Sequence, residues 1–236
     1  MDYQKYETHC SSARLKRYFD SVKGDTGRAI RLYNLNMKLS QSFFVPLTVF
    51  EVTLRNRINH VIGTYFGDSD WIINQKGGFM SHPSLTQIHR RTEQPRVEDF
   101  LKSQVIKAET DLRKKGGIIT SGRIVAEQPL AFWVSFFNSD YFRILSAIPM
   151  QVFTALPSGK GRTDVSYALD EIRRLRNRIF HHEPICFSGS HTIDVVYASN
   201  LNNKIVEVLD WIDPDICLEF TDIHEVGAVL NQITSL

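Results

Sequence analysis

The chain has 236 residues, of which 42% are hydrophobic and 23% charged, with 15 Phe against 13 Gly and 8 Pro. That composition can bury a sizeable core, excludes a disordered or fibrous chain, and favours helices over a turn-rich β architecture. A formal net charge of +2 excludes a strong overall field, so any nucleic-acid contact must come from local basic patches.

In chain order, the first helix signal follows Asp25-Thr26 as a cap, with Ala29, Leu32, Tyr33, Leu35, Met37 and Leu39 giving a broad apolar face that ends near Ser40. Next, Phe43, Leu47, Phe50, Leu54, Ile58, Val61 and Tyr65 recur at intervals of three and four, which predicts a long helix with Pro46 near its start and Gly67 after its end. Residues 67–98, with Gly77-Gly78, Pro83 and Pro95, read as an irregular connection with one short helix. Phe100, Leu101, Val105, Ile106 and Leu112 predict a helix over 99–115, closed by Gly116-Gly117. A polar loop follows, with a minor hairpin near Ile118-Ile119. PLAFWVSFFNSDYFRIL at 129–145 then reads as one dense aromatic helix. PSGKGR at 157–162 is a loop. Tyr167, Ile172, Leu175 and Ile179 form another stripe, stopped by Pro184, and a last helix is expected over about 191–213, its apolar positions and Trp211 serving a core or a dimer interface.

Cys10, Cys186 and Cys217 are odd in number and far apart, without a C-x-x-C pair, which argues against a disulfide scaffold or thiolate zinc site and fits a reducing cytoplasm. The first twenty residues carry no apolar secretory core, and nowhere do about 18 apolar residues run together, so a cytoplasmic location and no membrane partner are expected.

The chain echoes itself. Residues 54–60 read Leu-Arg-Asn-Arg-Ile-Asn-His and residues 175–181 read Leu-Arg-Asn-Arg-Ile-Phe-His, six of seven positions identical. One R-N-x-x-x-H match in a chain of this size is on the order of a one-in-a-hundred event, and two on amphipathic helices are rarer. In each copy Leu and Ile belong to the buried stripe, so Arg, Asn and His lie off it. The plain alternative is that Arg and Asn are common on exposed helix faces and that Arg55 pairs with Glu51 one turn back.

The chemistry of the set points to phosphate. Arg supplies a permanent cation with a fork of donors, His titrates near neutrality, and Asn is neutral and can orient a partner. Together they suit attack by an RNA 2′-hydroxyl on its own phosphate, with no metal and no cofactor. Two motifs meeting would offer one imidazole for each end of an in-line displacement.

Arg176-Asn177-x-x-x-His181 resembles the R-x4–6-H signature of HEPN-domain ribonucleases. The wider sequence is similar to the Abi-like abortive-infection family of the AbiD/AbiF type, through SSARLKRYF at 11–19, RLYNLNMKLSQSFFVPLTVFEVTLRNRI at 31–58, GRIVAEQPLAFWVSFF at 122–137 and RLRNRIFHHEPI at 174–185. The resemblance implies an all-α helical bundle made of two HEPN-like halves, 1–66 and 99–236 with 67–98 between them, acting on RNA in anti-phage defence or as a toxin. It implies Arg176 and His181 as catalytic and Asn177 as supporting residues, with Arg55, Asn56 and His60 as candidates for a second half-site. RNA-targeting effectors of type VI CRISPR systems look similar in carrying two such motifs. HEPN sites also form across homodimers, where two copies of His181 would serve, and some HEPN proteins only bind nucleotide or RNA.

Other features are weighed beside these. His181-His182-Glu183 lacks metal-ligand spacing, and His182 and Glu183 read as a helix end before Pro184. PSGKGR lacks the full phosphate-loop pattern but is basic. Arg173, Arg174, Lys160 and Arg162, with Arg57 and Arg178 inside the motifs, are candidate contacts to an RNA backbone. His89-Arg90-Arg91, Arg96 and Arg113-Lys114-Lys115 read as solvated basic runs, and Phe132, Trp133, Phe136, Phe137, Tyr141 and Phe142 as core rather than a base-stacking platform. The expected function is a metal-independent endoribonuclease, with possible partners in a small non-coding RNA, an antitoxin or a second copy of the chain. The alternatives are a non-catalytic binder of a structured non-coding RNA, and an antitoxin-controlled dimer whose interface is the motif face.

Overall fold

The computed structural model describes residues 3–88, 93–189, 191–218 and 225–236. It is mostly helical: α1 Tyr3–Cys10, α2 Ser12–Ser21, α3 Thr26–Ser42, α4 Phe44–Phe66, α5 Trp71–Asn74, α6 Phe100–Lys114, α7 Ser121–Glu127, α8 Leu130–Val134, α9 Ser139–Ile144, α10 Arg162–Phe180, α11 Val196–Ile212, α12 Asp215–Leu218 and α13 Val226–Thr234. Two short antiparallel pairs accompany them, β1 Thr86–Ile88 with β2 Pro95–Val97, and β3 Phe187–Ser188 with β4 Thr192–Ile193. Among the described residues no helix is long and apolar enough to cross a membrane. The His89-Arg90-Arg91 run and the side chains of Arg96 and Cys217 lie outside the described residues.

The chain divides into two compact units that interleave along the sequence. One joins Met1–Phe50 to Arg174–Asp210 and Pro214–Leu236; the other holds Glu51–Arg173 with Trp211–Asp213. This division differs from the successive segments 1–66 and 99–236 that the resemblance implies. The boundaries fall inside α4 and α10, so each motif helix contributes to both units.

In the first unit α3 is central. Asp25 caps it, its carboxylate accepting from Arg28 N at 2.9 Å, an interaction that contributes about 1 kcal/mol. Ala29, Leu32 and Leu39 are buried, and α1, α2 and α13 all pack on α3. The Arg28 guanidinium reaches the Leu236 carbonyl at 2.7 Å. One step of the expected apolar face differs: Met37 is 46% exposed, while Asn36 is 5% exposed. The buried amide is tolerated because it has a partner, its oxygen accepting from Ile185 N at 2.9 Å.

In the second unit Trp71, Phe79, Phe132, Trp133, Phe136 and Phe137 are buried, with Trp71 edge-on to Phe136 at 5.9 Å. The aromatic segment is core, but it is not one helix. It breaks into α8, a 3-10 turn at Ser135–Phe137 and α9, with Asn138 extended. Ser135 Oγ donates back to Ala131 O at 2.8 Å, which bends a helix, and burying four neighbouring aromatic rings needs more than one helix face. Ile118 and Ile119 lie in a loop rather than a hairpin, and after Thr120, whose Oγ1 caps the first turn, the expected polar loop gives way to the short helix α7. The expected connection 67–98 holds α5, two 3-10 turns and the β1–β2 hairpin. The last long helix begins at Val196 because Thr192–Ile193 pair with β3. Lys76 Nζ pairs with Glu109, which is only 5% exposed.

Candidate active site

The second motif sits where α10 ends. Leu175 is fully buried and anchors the helix, leaving Arg176 and Asn177 half-buried and His181 exposed. The helix closes in a Schellman arrangement, with His182 N donating to Ile179 O at 3.0 Å and Glu183 N to Arg178 O at 2.8 Å. His182 takes the left-handed position with φ +57°, where glycine is usual, and Pro184 prevents continuation.

Three side chains fix the chain reversal after α10. The Arg178 guanidinium donates to Pro184 O, stands 3.4 Å from the Glu183 carboxylate and lies 4.8 Å over the Tyr197 ring. Arg14, from α2, donates to His182 O at 2.8 Å, and Asn36, from α3, holds Ile185. Arg178 is thus part of the framework of the turn rather than a free phosphate contact. Arg176 stacks on the ring of Phe180 at 4.0 Å, one turn on, and Asn177 O accepts from His181 N at 2.9 Å. The result is an exposed imidazole at the end of a helix, with a guanidinium and a neutral amide in the turn before it.

The first motif has a different setting. Arg55, Asn56, Arg57 and His60 lie in the interior of α4, which runs on through Val61 and Ile62 to Phe66. Asn56 and His60 are exposed; Arg55 and Arg57 are half-buried, and their Nε atoms are buried without a hydrogen-bond partner among the described residues. Asn59, the counterpart of Phe180, accepts from Trp71 Nε1 at 2.9 Å and so secures α5. The same six residues therefore stand in mid-helix in one unit and at a helix end in the other, because Val-Ile succeeds His60 and His-Glu-Pro succeeds His181. The two motifs belong to different units.

The remaining basic candidates are engaged locally. Arg162 donates to Phe137 O at 3.0 Å and lies 5.7 Å from the Phe142 ring. Lys160 stands 4.5 Å over Trp211, and Arg173 Nε donates to Asp170 at 3.1 Å. Arg174 is exposed on α10. Among the described residues no group of three His, Cys, Asp or Glu side chains is placed to hold a metal ion.

Sequence reasoning missed a cavity of about 370 Å³ behind the same turn, lined by Arg14 and Tyr18 of α2, Tyr33, Asn36, Met37 and Ser40 of α3, and Ile179 and His182. A signal was present. Tyr33, Asn36, Met37 and Ser40 have the i, i+3, i+4, i+7 spacing of one helix face, and three of the four are polar. No family model, curated protein or solved structure matches this chain.

Proposed function

We propose that this chain is a metal-independent endoribonuclease of the HEPN type, built of HEPN-like helices and acting in the cytoplasm in anti-phage defence or as a toxin. The observation that carries the reading is the helix end at Arg176, Asn177 and His181, where the imidazole is exposed beyond a turn held by Arg178, Arg14 and Asn36. A site for proton transfer needs an accessible base on a rigid support, and this turn supplies both. The presence of an R-N-x-x-x-H motif on each of the helices α4 and α10, of 23 and 19 residues, also favours it.

In the proposed reaction the ribose 2′-oxygen attacks the adjacent phosphorus and gives its proton to His181. Arg176 offsets the charge gathering on the phosphoryl oxygens. The bond from phosphorus to the 5′-oxygen breaks, leaving a 2′,3′-cyclic phosphate and a 5′-hydroxyl that takes a proton from a second imidazole. His60, or His181 of a second copy, fills that role, and Asn177 and Asn56 orient the groups.

The test is single-turnover cleavage of labelled cellular RNA in EDTA by wild type, His60→Ala, His181→Ala and the double variant, with RNA affinity measured in parallel. Loss of cleavage in His181→Ala at unchanged affinity is expected, and the His60→Ala result separates a site within one chain from one shared by two. Equal binding by all four with no cleavage by any would replace the ribonuclease by a non-catalytic binder of structured RNA.

A further inference from the structure

The cavity behind the His181 turn has the chemistry of a ligand site. Tyr18 is 3% exposed and Asn36 is 5% exposed, and both line it. Asn36 has its oxygen committed to Ile185 N, so its amide nitrogen is the group left over, and among the described residues it has no hydrogen-bond partner. The Tyr18 hydroxyl likewise has none among the described residues, although its ring is packed edge-on against Tyr33 and Phe187 at 5.2 Å each. Both residues are almost wholly buried and line this hollow, so a ligand or ordered water within it is what would pair the two groups. Tyrosine hydroxyls are protonated and able to donate at neutral pH, and burial moves those of Tyr18 and Tyr33 further in that direction.

The charge selects the ligand. Arg14 contributes a cation, oriented by its bond to His182 O, and His182 and Ser40 add further polar groups. Among the described residues no Asp or Glu lines the cavity. A donor-rich, acid-free hollow containing a guanidinium suits an oxyanion, and Ile179 with Met37 gives it an apolar wall. Its volume of about 370 Å³ is at the lower end for small-molecule sites, too large for a lone phosphate and too small for a stretch of RNA.

We infer that this cavity binds one phosphate-bearing unit the size of a nucleoside monophosphate, held by Arg14, Tyr18, Asn36 and Ser40 next to the cleavage turn. The choice of a nucleotide over another anion of that size rests on the ribonuclease reading, because His182 of the cavity and His181 of the candidate site are consecutive residues. The unit could arrive as part of an RNA chain or as a free nucleotide, and its recognition would be the same.

The experiment is calorimetric titration of the full chain with the four ribonucleoside monophosphates, with inorganic phosphate, and with a short 2′-O-methyl oligoribonucleotide that cannot be cut. Two variants accompany it: Tyr18→Phe, which removes one hydroxyl, and Ser40→Trp, which fills the cavity. Thermal unfolding establishes that each is folded. At least one mononucleotide should bind more tightly than phosphate. Tyr18→Phe should weaken it about tenfold, the effect of losing one hydrogen bond in a buried site, and Ser40→Trp should abolish it. If the oligonucleotide is weakened in parallel, the unit belongs to RNA; if only the mononucleotide is weakened, the ligand is free nucleotide. Phosphate binding as tight as the nucleotide, affinity unchanged in both folded variants, or no binding at all would overturn the inference. Cleavage reports separately: a chain that binds nucleotide here but never cuts RNA removes the ribonuclease reading and leaves the pocket. A chain that cuts RNA but takes up none of these ligands removes the pocket alone.

Discussion

Replacing Asn36 by alanine removes the side-chain oxygen that accepts from the amide of Ile185, a residue that is fully buried. A buried N–H left without a partner costs about 1–3 kcal/mol, and the methyl group cannot replace the lost contacts, so a loss of about 2 kcal/mol is expected. Asn34→Ala, two residues away on the exposed side of α3, should stay within about 0.5 kcal/mol of wild type. Urea unfolding followed by circular dichroism measures the difference at constant m-value. Hydrogen exchange at the Ile185 amide gives a local readout, and its protection should fall in Asn36→Ala before that of the α3 backbone does. A loss below about 0.5 kcal/mol, with Ile185 still protected, would show that Asn36 does not hold this amide, overturning the role assigned to it.

Three further outcomes are expected. Lys76→Met strands the buried carboxylate of Glu109 and should cost about 2–3 kcal/mol, less than for a fully buried pair because Lys76 is partly exposed. Adding Glu109→Leu should recover most of that, and urea midpoints of the single and double variants provide the check. His182→Gly relieves a left-handed residue and should gain about 0.5–1 kcal/mol net of the added chain freedom. His182→Ala should gain nothing, and a thermal shift that ranks them otherwise would refute strain at this turn. The Tyr141 phenol donates to Glu98 O at 3.2 Å, and burial pushes its pKa from 10.0 up to about 12. Because the folded value lies above the unfolded one, its contribution is complete below about pH 10 and drains away toward pH 12; Tyr141→Phe should flatten that part of the stability profile.

Much of the local structure is legible in the sequence where one helix face makes one contact. Asp25 before α3, Gly67 after α4, and the buried Leu54, Ile58 and Leu175 are predictable from spacing and capping alone. The aromatic segment 129–145 is read correctly as buried and incorrectly as one helix, because periodicity fails when adjacent residues such as Phe136 and Phe137 are both inside. Met37 and Asn36 exchange their expected places for another reason. The partner that makes Asn36 tolerable inside is 149 residues away, and no local pattern announces it. The end of α10 is visible from Pro184, but its left-handed residue is a histidine where glycine would be expected, so the form of the turn is hidden. The R-N-x-x-x-H residues themselves stand out by repetition. Their unequal surroundings do not, since these depend on the residues immediately C-terminal to each copy.

The interleaving of the two units orders events during synthesis. All of Glu51–Arg173 has been made before the first residue of the Arg174–Asp210 segment appears, so most of the second unit can condense while α1, α2 and α3 still lack their later companions. Arg14 must wait for His182, Asn36 for Ile185, α3 for α13, and Arg28 for the carbonyl of Leu236. The turn that presents His181 therefore sets only after the whole of Glu51–Arg173 has been made. For a chain proposed to cut RNA, this is a form of timing: the turn cannot close until Ile185 has been made, 149 residues after the Asn36 that holds it.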